Sequence, residues 1–174
     1  MLRTPASKWH RLEDGKLVLE PRPVTIDQLA NPSFLARRIL HHQFSASLEL
    51  DFDAALPDDR AGMVLYRRST CHYQILKQGG DLVVTRTEKG EKQEVARVEY
   101  GASEVILKAE ANGLDLQFSY GKPGQELKSI GGVQSMSVLS FETADGFNGP
   151  YVGMYAGSDG KSPGDPARVD WFEY

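Results

Sequence analysis

The sequence predicts an all-β protein, a two-sheet antiparallel β-sandwich of about ten or more strands with little helix. Three observations carry this reading. Apolar residues recur at every second position in several stretches, turn residues separate those stretches at short intervals, and only one segment has any helical promise. Sheets with one wet and one apolar face must cover each other, which makes a sandwich.

In chain order, the helical candidate comes first, within "TIDQLANPSFLARRIL" from Thr25 to Leu40. Asn31-Pro32 interrupts it, because the residue before a proline avoids the α region. A short turn over Ile26 to Leu29 is expected, and beyond Pro32 the letters fit a period of two or of 3.6 equally. The clearest strand follows, "QFSASLELDFD" from Gln43 to Asp53. Phe44, Ala46, Leu48, Leu50 and Phe52 share one face, while Ser45, Ser47, Glu49 and Asp51 share the other. The same alternation returns in "EVILKAE" through Val105, Leu107 and Ala109, and around "DLQFSY" through Leu114, Leu116, Phe118 and Tyr120.

Between these runs lie Gly79-Gly80-Asp81, Glu88-Lys89-Gly90, Asn112-Gly113, Lys122-Pro123-Gly124 and Asp145-Gly146. Asn112-Gly113 is the sharpest signal, since a two-residue hairpin turn needs positive φ and these residues tolerate it. Antiparallel hairpins in series follow. No internal repeat or linker divides residues 1–174, so a single module is expected.

The totals exclude several classes of function. A chain of 174 residues with 40% hydrophobic and 25% charged residues has ordinary globular composition. A net charge of -4 gives no footprint for nucleic acid, and the basic residues are scattered. One cysteine, Cys71, forbids an internal disulfide framework. No apolar run reaches the roughly eighteen residues of a membrane span. "MLRTPASKWHRLEDG" lacks the apolar centre of a signal peptide, so a cytoplasmic protein is expected. That opening reads as the edge of a module cut from a longer chain, with the native N-terminus upstream.

Catalytic motifs are absent. There is no glycine-rich phosphate cradle before a helix and no G-x-S-x-G elbow. His41-His42 would point to opposite faces of a strand, and Cys71-His72 are neighbours where a catalytic pair is usually distant. Asp51, Asp53, Asp58 and Asp59 form an acidic patch that could hold calcium, though without EF-hand order, and a solvated turn is the alternative. No cofactor is otherwise expected. From the residues alone, no enzyme is indicated.

Longer stretches carry a resemblance. "PSFLARRILHHQFSASLELDFDAALPDDRAGMVLYRRSTCHYQIL", the closing "FNGPYVGMYAGSDGK" with "ARVDWFEY", and the opening "LRTPASKW" together resemble the C-terminal module of glycoside hydrolase family 43 enzymes, the β-xylosidases and α-L-arabinofuranosidases. The resemblance runs from Leu2 to Tyr174, with no motif over roughly residues 85–128. It implies a jelly-roll, concanavalin A-like sandwich. It also implies that the catalytic carboxylates sit on a separate N-terminal five-bladed β-propeller, so none is carried onto this chain, which is expected to be no enzyme on its own.

In that family a loop of the sandwich reaches the propeller, and an aromatic residue on it helps wall the sugar pocket. Phe147 of "DGFNGPYVGMY" lies in the matching loop. The resemblance implies a ring that stacks on a sugar face; the alternative is a plug folded back onto the sheet edge. Arg37 and Arg38 point oppositely on a strand, so one could serve a concave face or the propeller interface, or either could form a structural ion pair. Tyr66, Tyr73 and Trp171 are read as core or sheet-face packing before sugar platform, with Tyr66 and Tyr73 kept as concave-face candidates. Two functions follow: an ancillary module that docks on the propeller and completes a pocket for xylo- or arabino-oligosaccharides, in a parent that could be a homo-oligomer, or an autonomous lectin-like module that binds xylan.

Overall fold

The structure, a computed structural model, describes residues 8–54, 56–158 and 164–174. The Leu2–Ser7 part of the opening motif and residues 159–163 of the closing loop lie outside the described residues. Two antiparallel sheets form the sandwich expected from the alternation. The first has seven strands in the spatial order β1 (His10–Glu13), β2 (Lys16–Leu19), β13 (Ala167–Glu173), β4 (Gln43–Asp51), β9 (Glu104–Asn112), β10 (Asp115–Gly121) and β11 (Lys128–Ser135). The second has six, ordered β3 (Ser33–Arg38), β12 (Tyr151–Gly157), β5 (Arg60–Arg68), β6 (Cys71–Gln78), β7 (Asp81–Glu88) and β8 (Glu91–Glu99). The segment after Pro32 is therefore a strand, and Ile26–Asp27 form only a turn, with the Gln28 amide donating to the Thr25 carbonyl at 3.2 Å.

The inner faces follow the period of two. Leu48 and Leu50 of β4, Val105, Leu107 and Ala109 of β9, and Leu116 and Phe118 of β10 are buried against Met63 and Leu65 of β5, Tyr73 and Ile75 of β6, and Val152 and Met154 of β12. A smaller cluster covers the outer face of the six-stranded sheet. There Ile26, from the segment before β3, packs with Phe34, Val64, Tyr66, Leu76 and Tyr155. The same segment brings Asp27 Oδ1 to 3.1 Å from Nε2 of the buried His72. Burial raises the Asp27 carboxyl, but the His72 contact and the nearby charges of His72, Lys92 and Arg60 outweigh it and hold the group below its ordinary value.

Two sequence expectations shift by one residue, for local reasons. In the β9–β10 hairpin Asn112 pairs with Asp115, so the turn is Gly113-Leu114 and only Gly113 has positive φ, at 64°. That is a glycine-first turn, and Asn112 instead accepts a 2.8 Å bond from the Gln43 side chain. Two-residue hairpin turns with positive φ at both positions occur at Asp14-Gly15, which joins β1 to β2, and Lys89-Gly90, which joins β7 to β8.

Trp171 requires a correction. Alternation from the buried Ala167 and Val169 puts it inward, yet it is 36% exposed, with Nε1 donating to Glu49 Oε2 at 2.9 Å. A bulge between Val169 and Trp171 inserts Asp170 and flips the rest of β13. Phe172 and Tyr174 then take the inward positions and pack against the core.

Candidate functional site

One end of the sandwich carries the chain's most exposed aromatic ring. After β11 the chain makes a 3-10 turn (Met136–Leu139) and one helical turn, α1 (Phe141–Ala144), before the tip and β12. Ser140 caps α1, its hydroxyl accepting from the Thr143 amide at 3.4 Å. The turn stops at Asp145, whose φ of 61° and ψ of 175° lie in a region that only glycine occupies readily. Gly146 follows at φ 83°. Holding a residue there costs of order 1–3 kcal/mol and persists only where its surroundings determine it. The result of this reversal is Phe147, 99% exposed, with its ring centroid 6.1 Å from that of the half-exposed Phe141. Phe147 is not tucked onto the sheet edge.

The surroundings that determine the tip come from the end of β5. Arg68 Nη1 donates to the Ala144 carbonyl at 2.7 Å, satisfying an acceptor that the helix end leaves open. Arg67 Nη2 donates to the Gly146 carbonyl. On the return side the Arg38 side chain lies against Gly149.

Beside the tip runs a groove of about 300 Å³, lined among others by Ile39, Leu40, Leu114, Met136, Leu139 and Pro150. Leu40 and Leu114 on its rim are largely exposed. Phe141 and Phe147 in the tip add two further exposed apolar side chains. His41 and His42 also line this groove, in the connection after β3; they are not on a strand. His41 Nδ1 lies 3.2 Å from the Tyr174 hydroxyl, and the His42 carbonyl accepts from Gly113.

The remaining sequence candidates fall in different places. Arg37 and Arg38 do diverge, as a strand requires. The Arg37 guanidinium lies 4.2 Å from the Tyr174 ring centroid. The Arg38 guanidinium lies over Tyr151 and donates to its hydroxyl at 3.1 Å. Both are exposed cation–π pairs, an arrangement the sequence reading did not weigh. Tyr73 is no surface residue: it sits between the sheets against Phe118, its hydroxyl bonded to the Ser135 carbonyl at 3.0 Å, which removes it from the concave-face candidates. Tyr66 faces outward from β5 but is buried beneath the Ile26 segment, packed on Phe34 and His72. Burial raises the hydroxyl of each of these two tyrosines.

Asp51, Asp53, Asp58 and Asp59 do not gather. Asp59 is fully buried and organises its own loop, accepting from the Leu56 and Gly164 amides at 3.3 Å each. Asp51 ends β4, opposite Arg168 of β13 in the backbone register. Among the described residues no three His, Cys, Asp or Glu side chains come together to hold a metal ion. Arg67, Arg68 and Phe141 are the residues the sequence reading missed. The Arg67-Arg68 doublet sits in "VLYRRST" and could have been weighed as Arg37-Arg38 was.

Comparison with known proteins bears on the fold and the family. A family model described as the β-xylosidase C-terminal concanavalin A-like domain matches residues 1–174. The non-reducing end α-L-arabinofuranosidase BoGH43B of Bacteroides ovatus is 28% identical over 99% of this chain and 34% of its own length. A xylosidase/arabinosidase of Butyrivibrio fibrisolvens is 33% identical over 91% of this chain and 31% of its own. Among solved structures, the Bacteroides ovatus xyloglucan-locus GH43B protein superposes with a TM-score of 0.90 at 27% identity, covering 98% of this chain and 35% of that one. The GH43 protein BlXynB of Bacillus licheniformis gives 0.84 at 25% identity, covering 92% and 32%. The chain thus spans about a third of the length of the curated relatives it matches. Its two-sheet fold, its whole-length match and these relatives lead to one conclusion: the chain belongs to the β-xylosidase C-terminal concanavalin A-like domain family of glycoside hydrolase family 43.

Proposed function

We propose that this chain is the ancillary sandwich of a glycosidase acting on xylosides or arabinosides, and that its apolar end docks on the catalytic propeller with Phe147 as one wall of the sugar pocket. The substrate class is taken from the names of the relatives, an α-L-arabinofuranosidase and a xylosidase/arabinosidase. The observation that carries the reading is the Phe147 ring, 99% exposed on a buttressed and strained loop. A ring merely filling space would lie against the core, where burying it gains roughly 2–3 kcal/mol. A ring held out at the cost of backbone strain suits a partner surface. There it would exclude water and stack on a pyranose or furanose face. The groove along Leu40 and Leu114 would take an apolar side chain of the propeller and anchor the contact. No reaction is assigned to the sandwich itself.

A pocket completed from two sides has little affinity on one side alone. Isothermal titration of this chain with xylobiose is therefore expected to give no saturable heat. Saturable heat would instead favour an autonomous xylan-binding module.

A further inference from the structure

We infer that Arg67 and Arg68 are positioning residues that hold the Phe147 tip in its projecting form. The inference rests on the reading that the ring walls a sugar pocket, and deepens it by naming what keeps the wall in place.

The bonding starts in the β5–β6 ladder. Tyr66 pairs with His72 and Arg68 pairs with Cys71, so Arg67 is an inserted, unpaired residue of a bulge. Bulges re-aim side chains near functional sites, and here the bulge and the adjacent turn send both guanidiniums toward the tip. Their targets are the two carbonyls that bracket Asp145, the one non-glycine residue of the tip with positive φ. Arg68 takes the carbonyl of Ala144 before it, and Arg67 takes the carbonyl of Gly146 after it, next in sequence to Phe147. A charged donor on each side fixes the peptide planes through which the chain reverses. The base of this support is rigid: Nδ1 of His72 lies 3.3 Å from the Arg68 carbonyl, and His72 itself is fully buried. The ring itself is 99% exposed, and its aromatic neighbour Phe141 is half exposed. The orientation of Phe147 therefore comes from the backbone, and the backbone is held by the two arginines.

Two measurements test this. In the chain as it stands, 15N relaxation of the Gly146 amide should report ordered backbone, with an order parameter of about 0.85, falling below about 0.6 in Arg67→Met/Arg68→Met. Arg67→Lys, which keeps a donor, should lie between. In the complete enzyme the same double variant should lower kcat/KM by about tenfold, the scale expected when a contact group is misplaced by less than an ångström. In a Phe147→Ala background it should cause no further loss, because the arginines act only through the ring. An unchanged Gly146 order parameter would overturn the inference, as would an equal tenfold loss in both backgrounds. Should the double variant fail to fold, Arg67→Met alone carries both measurements. Failure of the pocket reading is separately visible: Phe147→Ala would then leave kinetics unchanged while the arginine variants still loosened Gly146.

Discussion

Phe147→Ala is expected to lower kcat/KM of the complete enzyme for small xylosides by about thirtyfold, and to leave the thermal midpoint of this chain unchanged. The magnitude follows from removing an aromatic wall worth about 2 kcal/mol at a desolvated contact, at 1.36 kcal/mol per factor of ten. The unchanged midpoint follows from exposure: a ring 99% exposed in the chain contributes nothing to the core. Both kcat and KM should suffer, because the ring would hold the sugar and keep water from the reacting bond. Phe147→Tyr, which keeps the flat face, should retain most activity. Steady-state kinetics on an aryl xyloside, read beside a melting curve, separates these effects, and unchanged kinetics would dispose of the pocket wall.

The largest stability effect is expected at the opposite place, where the sheets meet. Phe118 is fully buried on β10 and packs against Tyr73 of β6 with ring centroids 5.9 Å apart, so it bridges the two layers. Phe118→Ala should cost about 3–5 kcal/mol, the transfer energy of the ring together with the cavity it leaves. For a chain of this length that lowers the midpoint by roughly 10 °C. Trp171→Ala, by contrast, should stay within about 1 kcal/mol, because the indole lies on the outer face of β13 and loses one exposed hydrogen bond to Glu49. Urea denaturation of the two variants side by side checks the assignment. Equal losses would mean that the bulge in β13 is misplaced.

That pair also marks what the sequence could reveal. The inner faces of β4, β9 and β10 are legible, because Leu48, Leu107 and Phe118 each sit in an uninterrupted alternation that geometry converts directly into a buried face. Trp171 is not, because one inserted residue reverses every later side chain and leaves no mark in the letters. The same limit hides Arg67, whose direction depends on a bulge in β5. The hairpin at Asn112 is legible as a turn but not to the residue, since cross-strand pairing with Gln43 and Asp115 decides which residues form the corner. Phe147 stands out in sequence because a large ring flanked by Gly146, Asn148 and Gly149 has no alternation to join. Whether such a ring projects or folds back depends on hydrogen bonds from residues nearly eighty positions earlier in the chain, at |i−j| of 79 and 76.

The proposed function requires the tip to meet a catalytic neighbour. The most direct measurement is photocrosslinking from a benzoylphenylalanine placed at position 147 of the complete enzyme, with the adducts mapped by mass spectrometry. Adducts are expected on the catalytic propeller, and they should disappear when xylobiose saturates the pocket. Adducts confined to residues of this sandwich, or propeller adducts indifferent to the sugar, would contradict it.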